Sequence, residues 1–171
     1  MKNQIRIGER LPSCQLSSLD SDGNVIFHDT AELFSDGLNI IFYVTGAFTP
    51  ICSTRHVPGF ESRAAEFRQL GFENLYCVAP NDPYTMRAWA DQCGFMEVCM
   101  ISDHNQDLAR AMGEWVDWSY LALGWRPMRY SLILNRGIIS NIFPEMEDNS
   151  GGECYGVSDA STVLKHIRSE I

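Results

Sequence analysis

No apolar run here approaches the ~20 residues a membrane-spanning helix needs. The most apolar stretch, "LNIIFYV", is only strand-sized. Positive charge is also short. Thirteen basic against 22 acidic side chains leave a net charge of −9, which argues against a nucleic-acid or anionic-membrane surface. There is no CxxC pair: Cys52 is followed by Ser53, Thr54 and Arg55. That removes the usual zinc-ribbon and dithiol-oxidoreductase patterns, so no metal and no other cofactor is expected. Repeats, low-complexity tracts and long linkers are missing, and 171 residues are read as one domain, 1–171. The start, "MKNQIRIGERLP", has charges and lacks the apolar core of a signal peptide, so a cytoplasmic location is expected.

Six cysteines are present, at 14, 52, 77, 93, 99 and 154. Disulfide scaffolds are usually short and secreted, whereas this chain has apolar residues enough to fold without staples. Most of the six are expected reduced, and several are expected to be core residues.

The order of elements points to an α/β fold with an N-terminal hairpin. "DSDGN" turns between Gln15–Leu19 and Val25–Phe27; its likeness to a calcium loop fails because Gly23 is misplaced and no glutamate follows at the right spacing. Asn39–Val44 is apolar on both faces, as in a fully buried strand. A helix then starts near Thr49, is interrupted or restarted by Pro58-Gly59, and stops at Gly71. "NLYCVA" and "EVCMI" are further strands. The helix between them has Asp82 as cap, Pro83 at its first position and Gly94 as stop. A short helix at Gln106–Met112, a hairpin turning at Asn135-Arg136-Gly137, and a last amphipathic helix capped by Ser158 complete the chain. Such an order makes a central mixed sheet with helices on both faces, with reactive groups at the carboxyl ends of its parallel strands.

Cys52 directly follows one of those strands. With Thr49 as N-cap and Pro50 as first helical residue, Cys52 falls in the first turn. Unpaired N–H groups and the positive end of the dipole favour an anion there, and so a thiolate. Local chemistry leaves two readings open: a reactive thiolate, or a small core residue behind an ordinary cap.

"GAFTPICSTRHVPGF" resembles the active-site segment of the type-II (five-type) peroxiredoxins. "NDPYTMRAWA", "RYSLILNRG", "IRIGERLPSCQL" and "VSDASTVL" match further family motifs in the same order, so the resemblance covers nearly the whole chain. It implies a thioredoxin-like fold and thiol-dependent reduction of hydrogen peroxide and organic hydroperoxides. Cys52 would be the nucleophile, passing through a sulfenic acid. Thr49 would bind the peroxide and the thiolate. Arg129, selected over Arg126 by the "RYS" match, would stabilise charge. Thr45, Gly46, Phe48 and Pro50 would form the active-site loop. His56 belongs to the segment and is read as structural.

The same resemblance implies a reductant, either glutaredoxin with glutathione or thioredoxin, and a homodimer formed through the active-site edge. Cys154 and Cys77 are the resolving candidates; Cys154 or an external thiol is preferred, because Cys77 lies in a buried strand. The tryptophan-rich "EWVDWSYLALGW" supplies either a dimer contact or internal packing. Thr45 departs from the family, which usually has proline there. Either the thiolate sits in a slightly wetter, less restricted pocket and activity is retained, the outcome expected, or turnover is weak. The weak-turnover reading makes the protein a redox sensor or thiol-binding protein instead. A thiol-disulfide reductase is disfavoured by the missing CxxC.

Overall fold

The computed structural model describes residues 6–113, 115–145 and 155–171. The strands are β1 (Gln15–Leu19), β2 (Val25–Asp29), β3 (Leu38–Tyr43), β4 (Phe72–Ala79), β5 (Cys99–Ser102), β6 (Trp115–Asp117), β7 (Trp125–Pro127), β8 (Tyr130–Asn135) and β9 (Ile138–Pro144). The helices are α1 (Thr30–Leu33), α2 (Val57–Glu61), α3 (Ala64–Gln69), α4 (Pro83–Cys93), α5 (Asp107–Met112) and α6 (Ala160–Ser169). One seven-stranded sheet runs β2-β1-β5-β4-β3-β8-β9, and β6 and β7 pair separately. Strands β3, β4 and β5 are parallel, while β8 and β9 return antiparallel.

Strand β3 is apolar throughout because both of its faces are covered. Ile40 and Phe42 pack with Val57 and Phe60 of α2, Phe67 of α3, Trp89 of α4 and Val163 of α6. Ile41 and Tyr43 face the opposite way, among Leu108 and Met112 of α5, Leu132 and Phe34. On the first face Phe60 stacks on Phe42 at 4.1 Å between ring centroids, fixing the helix that carries Cys52 against the strand that delivers it.

Local signals explain most boundaries. Asp82 accepts from the Thr85 amide, Pro83 opens α4, and Gly94 closes it in the left-handed region. Arg136 and Gly137 both have positive φ, as a tight turn between β8 and β9 requires. Asp20 organises the "DSDGN" turn by accepting from the amides of Asp22 and Asn24.

Three expectations are corrected. The last helix is capped by Asp159, which accepts from the Ser161 and Thr162 amides, because the Ser158 hydroxyl is spent on Glu145. Pro58-Gly59 does not interrupt the active-site helix. The chain runs helically from Pro50 to Glu61, with a π turn over Cys52–His56 in which the Val57 amide reaches Cys52 O. The wider turn lies immediately ahead of Pro58, whose ring would crowd a regular α-helical carbonyl. Cys93 and Cys99 are exposed rather than packed, and the five described cysteines are all free.

The tryptophan-rich segment is partly packed within the chain and partly exposed. Trp118 is buried, and Trp115 lies under the Arg110 guanidinium at 5.2 Å. Tyr120, Leu121 and Trp125 are exposed.

Candidate active site

Strand β3 ends at Tyr43, and the next residues carry the chain across the carboxyl edge of the sheet into the Pro50 helix. Several partners fix this crossing. The Val44 amide bonds Val78 O at 2.9 Å, and the Ala47 amide bonds Asn81 Oδ1 at 2.8 Å. Arg126 Nη1 donates to Thr45 O at 3.0 Å. Gly46 is closely approached: a Cβ there would stand 3.1 Å from Arg126 Nη1, a tight contact, and 3.5 Å from Asn81 Oδ1. Phe48 follows with φ 62°, a left-handed conformation uncommon for a non-glycine residue, and its ring packs near Trp89. Trp89 in turn donates to Ser53 Oγ at 3.0 Å, tying α4 to the active-site helix.

Cys52 emerges in the first helical turn with no exposed surface. Arg129, just ahead of β8 and itself buried, donates from Nη1 to Cys52 Sγ at 3.2 Å. Strands β3 and β8 pair directly, Tyr43 opposite Tyr130, which brings an arginine 77 positions away onto the sulfur. The structure thus brings Cys52 and Arg129 together, and Arg126 takes a separate post as the clamp on the Thr45 carbonyl.

Thr49 differs from its expected capping role. Its hydroxyl donates to Gly46 O at 2.7 Å instead of accepting from the helix amides, while its carbonyl accepts from Ser53 N at 3.0 Å. Pro50 is exposed at the helix start and Thr49 is half-buried beside it. Thr45 is fully buried, with Oγ1 3.6 Å from Cys52 Sγ. The wetter pocket expected from losing proline is not what forms, since neither Thr45 nor Cys52 has exposed surface.

His56 links this centre to the last helix. Arg129 Nη1 approaches His56 Nδ1 at 3.2 Å, and His56 Nε2 lies 3.1 Å from Ser158 O. Arginine can only donate, so Nδ1 accepts and the imidazole proton sits on Nε2, facing the carbonyl. Burial, reinforced by the Arg129 charge, holds the His56 pKa well below the ordinary range for histidine, which keeps this neutral tautomer. The Ser158 carbonyl also accepts from Ser131 Oγ at 2.6 Å. Behind it, Glu145 Oε1 accepts from the amides of Gly156, Val157 and Ser158 and from Ser158 Oγ, all at 2.7–2.8 Å. Hydrogen bonds on either side of the Ser158 backbone therefore connect Glu145, through His56 and Arg129, to the sulfur of Cys52. Sequence reasoning missed Glu145, gave Asn81 no role within its motif and set Arg126 aside; their posts follow from the fold.

Of the resolving candidates, Cys77 lies fully buried in β4, opposite Phe42. Burial, with Cys52 nearby, pushes its thiol well above the ordinary range. Cys154 lies outside the described residues. Its chain neighbour Tyr155 packs edge-on against His56 at 5.1 Å, between Arg55 at 4.6 Å and Arg129 at 5.8 Å. Burial pushes the Tyr155 phenol up to about 12.

The Redoxin family model matches residues 6–164. A peroxiredoxin of Rhizobium etli is 37% identical over 142 residues, spanning 82% of this chain and 79% of the relative. The chloroplastic peroxiredoxin-2E-2 of rice (Oryza sativa subsp. japonica) is 36% identical over 168 residues, spanning 95% and 72%. Among solved structures, reduced Prx3 of Vibrio vulnificus in complex with hydrogen peroxide superposes with a TM-score of 0.86 at 30% identity. That likeness covers 96% of this chain and 99% of the other, and the shared thioredoxin-like architecture is the one described above. An arginine on a buried first-turn cysteine, together with the family match over most of the chain and these relatives, places the chain among the peroxiredoxins, and it is a thiol-dependent peroxidase.

Proposed function

We propose that Cys52 is the peroxide-reducing nucleophile, assisted by Arg129 and Thr49. The observation that carries this reading is the 3.2 Å contact between the Arg129 guanidinium and a sulfur with no exposed surface. An anion in such a place needs a fixed counter-charge, and Arg129 supplies one that cannot be deprotonated. The Thr49 proton is committed to Gly46 O, which leaves the Thr49 oxygen to accept from the O–H of an entering hydroperoxide. The thiolate attacks the terminal oxygen, the S–O bond forms, and the O–O bond breaks. Sulfur loses two electrons and becomes a sulfenic acid; the leaving oxygen takes a proton and departs as water or an alcohol. Arg129 stabilises the oxygen charge that develops during the displacement. A thiol then attacks the sulfenic sulfur and releases water, and a second thiol reduces the resulting disulfide to restore Cys52.

The reductant in this reading is glutathione with glutaredoxin, or thioredoxin. Cys154 is the favoured internal resolving thiol, because its neighbour Tyr155 already rests on His56 and Arg129. Hydrogen-peroxide consumption is measured for the wild type and Cys52→Ser with each reductant in turn. Loss of turnover in Cys52→Ser is expected, and turnover that survives it overturns the assignment. Mass spectrometry after one equivalent of peroxide identifies the partner: an intramolecular disulfide lost in Cys154→Ser but kept in Cys77→Ala names Cys154, and the reverse names Cys77.

A homodimer through the active-site edge belongs to the same proposal. Phe48, Tyr120, Leu121 and Trp125 are 46, 56, 43 and 59% exposed, and Trp125 adjoins the Arg126 that clamps the Thr45 carbonyl. Sedimentation of Trp125→Glu as a lighter species than the wild type is expected; equal masses refute this contact.

A further inference from the structure

A cavity of about 190 Å³ opens between α4, the end of β1 and the start of β5. It lies beside the amino end of β5, whereas Cys52 follows the carboxyl end of the parallel strand β3, so the peroxide chemistry does not use it. Leu19, Phe95, Val98 and Met100 make its apolar wall, and Arg87 and Asp91 of α4 bring both signs of charge to it. Around it Leu19, Phe95 and Met100 are only half-buried.

The wall is held in place by the rest of the fold. Glu61, at the end of α2, accepts from the Met96 and Glu97 amides with Oε1 at 2.6 and 2.8 Å, and from the Val98 amide with Oε2 at 3.0 Å. Phe95 stands edge-on against Trp89 at 5.7 Å between ring centroids. Arg87 Nη2 donates to Asp20 O at 2.9 Å, which fixes the guanidinium beside the turn between β1 and β2. A preformed concavity, mostly apolar and carrying a few placed polar groups, is the usual form of a small-molecule site.

The two charges select the ligand. Arg87 and Asp91 are one helical turn apart, the spacing at which opposite charges ordinarily pair. Here Arg87 is drawn to the Asp20 carbonyl instead, and among the described residues neither has an ion-pair partner. Arginine has five N–H donors, and the carbonyl takes one of them. A purely anionic ligand would meet Asp91, and a purely cationic one would meet Arg87. A ligand with both signs a few bonds apart suits the two together. Volume limits its size: a cavity of about 150 Å³ admits benzene, whereas drug-sized ligands need about 300 Å³ or more. We propose that this cavity binds a free α-amino acid with an apolar side chain. Its carboxylate lies on Arg87, its ammonium on Asp91, and its side chain against Phe95, Val98 and Met100. The site is independent of which residue reduces peroxide.

Isotope-labelled protein is titrated with L-leucine and followed by methyl NMR. Saturable shifts are expected at the methyls of Leu19, Val98 and Met100, with a dissociation constant of about 0.1–1 mM for so small a ligand. Glycine keeps both charges and drops the side chain, and is expected to bind at least about tenfold more weakly. N-acetylleucine and leucinamide each lack one charge, and the same loss of at least about tenfold is expected. Arg87→Gln should weaken leucine about tenfold and Asp91→Asn about fivefold, with peroxide turnover and circular dichroism unchanged. If Arg87→Gln fails to fold, Asp91→Asn and the two charge-capped ligands still decide. The proposal is overturned if leucine, valine and methionine give no saturable shift at these methyls up to roughly 20 mM. Shifts centred elsewhere overturn it as well. So does binding of either capped ligand, or of leucine to the folded variants, within about twofold of the wild-type leucine value.

Discussion

Glu145→Ala removes a single oxygen that serves four donors, and the cost follows from where those donors lie. Gly156 and Val157 are exposed, so their amides turn to water when the carboxylate goes. Ser158 is fully buried, and both its amide and its hydroxyl are stranded. A buried donor left without a partner costs about 1–3 kcal/mol. Two of them give about 2–6 kcal/mol. Glu145 is only 5% exposed, so deleting it also relieves the desolvation of its own charge, and the serine hydroxyl can rotate. The expected loss is therefore about 2–4 kcal/mol. For a chain of this size each kcal/mol lowers the melting temperature by about 2–4 °C, so a fall of roughly 5–12 °C is expected. Glu145→Gln keeps an acceptor oxygen and loses only charge assistance, so about half that fall is expected. Urea unfolding at neutral pH measures both variants. A Glu145→Ala loss within about 0.5 kcal/mol, the range of an ordinary surface change, refutes the clamp.

Acid should destabilise the protein through His56. Its folded pKa is depressed while the unfolded value is near ~6.5, so below that pH the unfolded chain takes up a proton the folded one refuses. Stability is then fully present above pH ~6.5 and falls as pH drops, by up to about 1.4 kcal/mol per unit. His28, also depressed by burial, adds to the same slope. Denaturation between pH ~6.5 and ~5, above the ordinary carboxylate range, should show a shallower slope in His56→Asn; identical slopes in both proteins refute it. Cys77 should alkylate only on unfolding, because it is buried and held protonated, and Cys77→Ala should leave the rate of the first turnover unchanged. Labelling of native Cys77 as fast as Cys52 contradicts that placement.

What the sequence discloses depends on whether a signal is local. Asp82, Pro83 and Gly94 delimit α4 by chemistry that operates within a few residues, and β3 announces itself through an apolar run covered on both sides. The three-residue strands β6 and β7 are too short to show any periodicity. Ser158 is a reasonable cap by residue type, yet it loses the position to Asp159 because Glu145, thirteen residues upstream, claims its hydroxyl. The site divides in the same way. Cys52 in a first helical turn is readable from Thr49 and Pro50. Arg129 has no local signature and is reached through the family motif, and its contact with the sulfur depends on β3 pairing with β8. The His56 tautomer and the Arg126 clamp exist only once distant segments meet.

The concealed sulfur of Cys52 also acts as a sieve. The two reaction partners of the proposed cycle differ greatly in size: a peroxide brings a pair of oxygen atoms, whereas the proposed resolving thiol comes on a loop of the chain, on a tripeptide or on another protein. With no exposed surface, the sulfur is reached by either partner only when its cover parts, and the larger partner needs the wider parting. The oxidised and reduced halves of the cycle thus pass through openings of different width. When reductant is plentiful, the lifetime of the sulfenic acid is set by how often the wider opening occurs, and adding more thiol no longer shortens it.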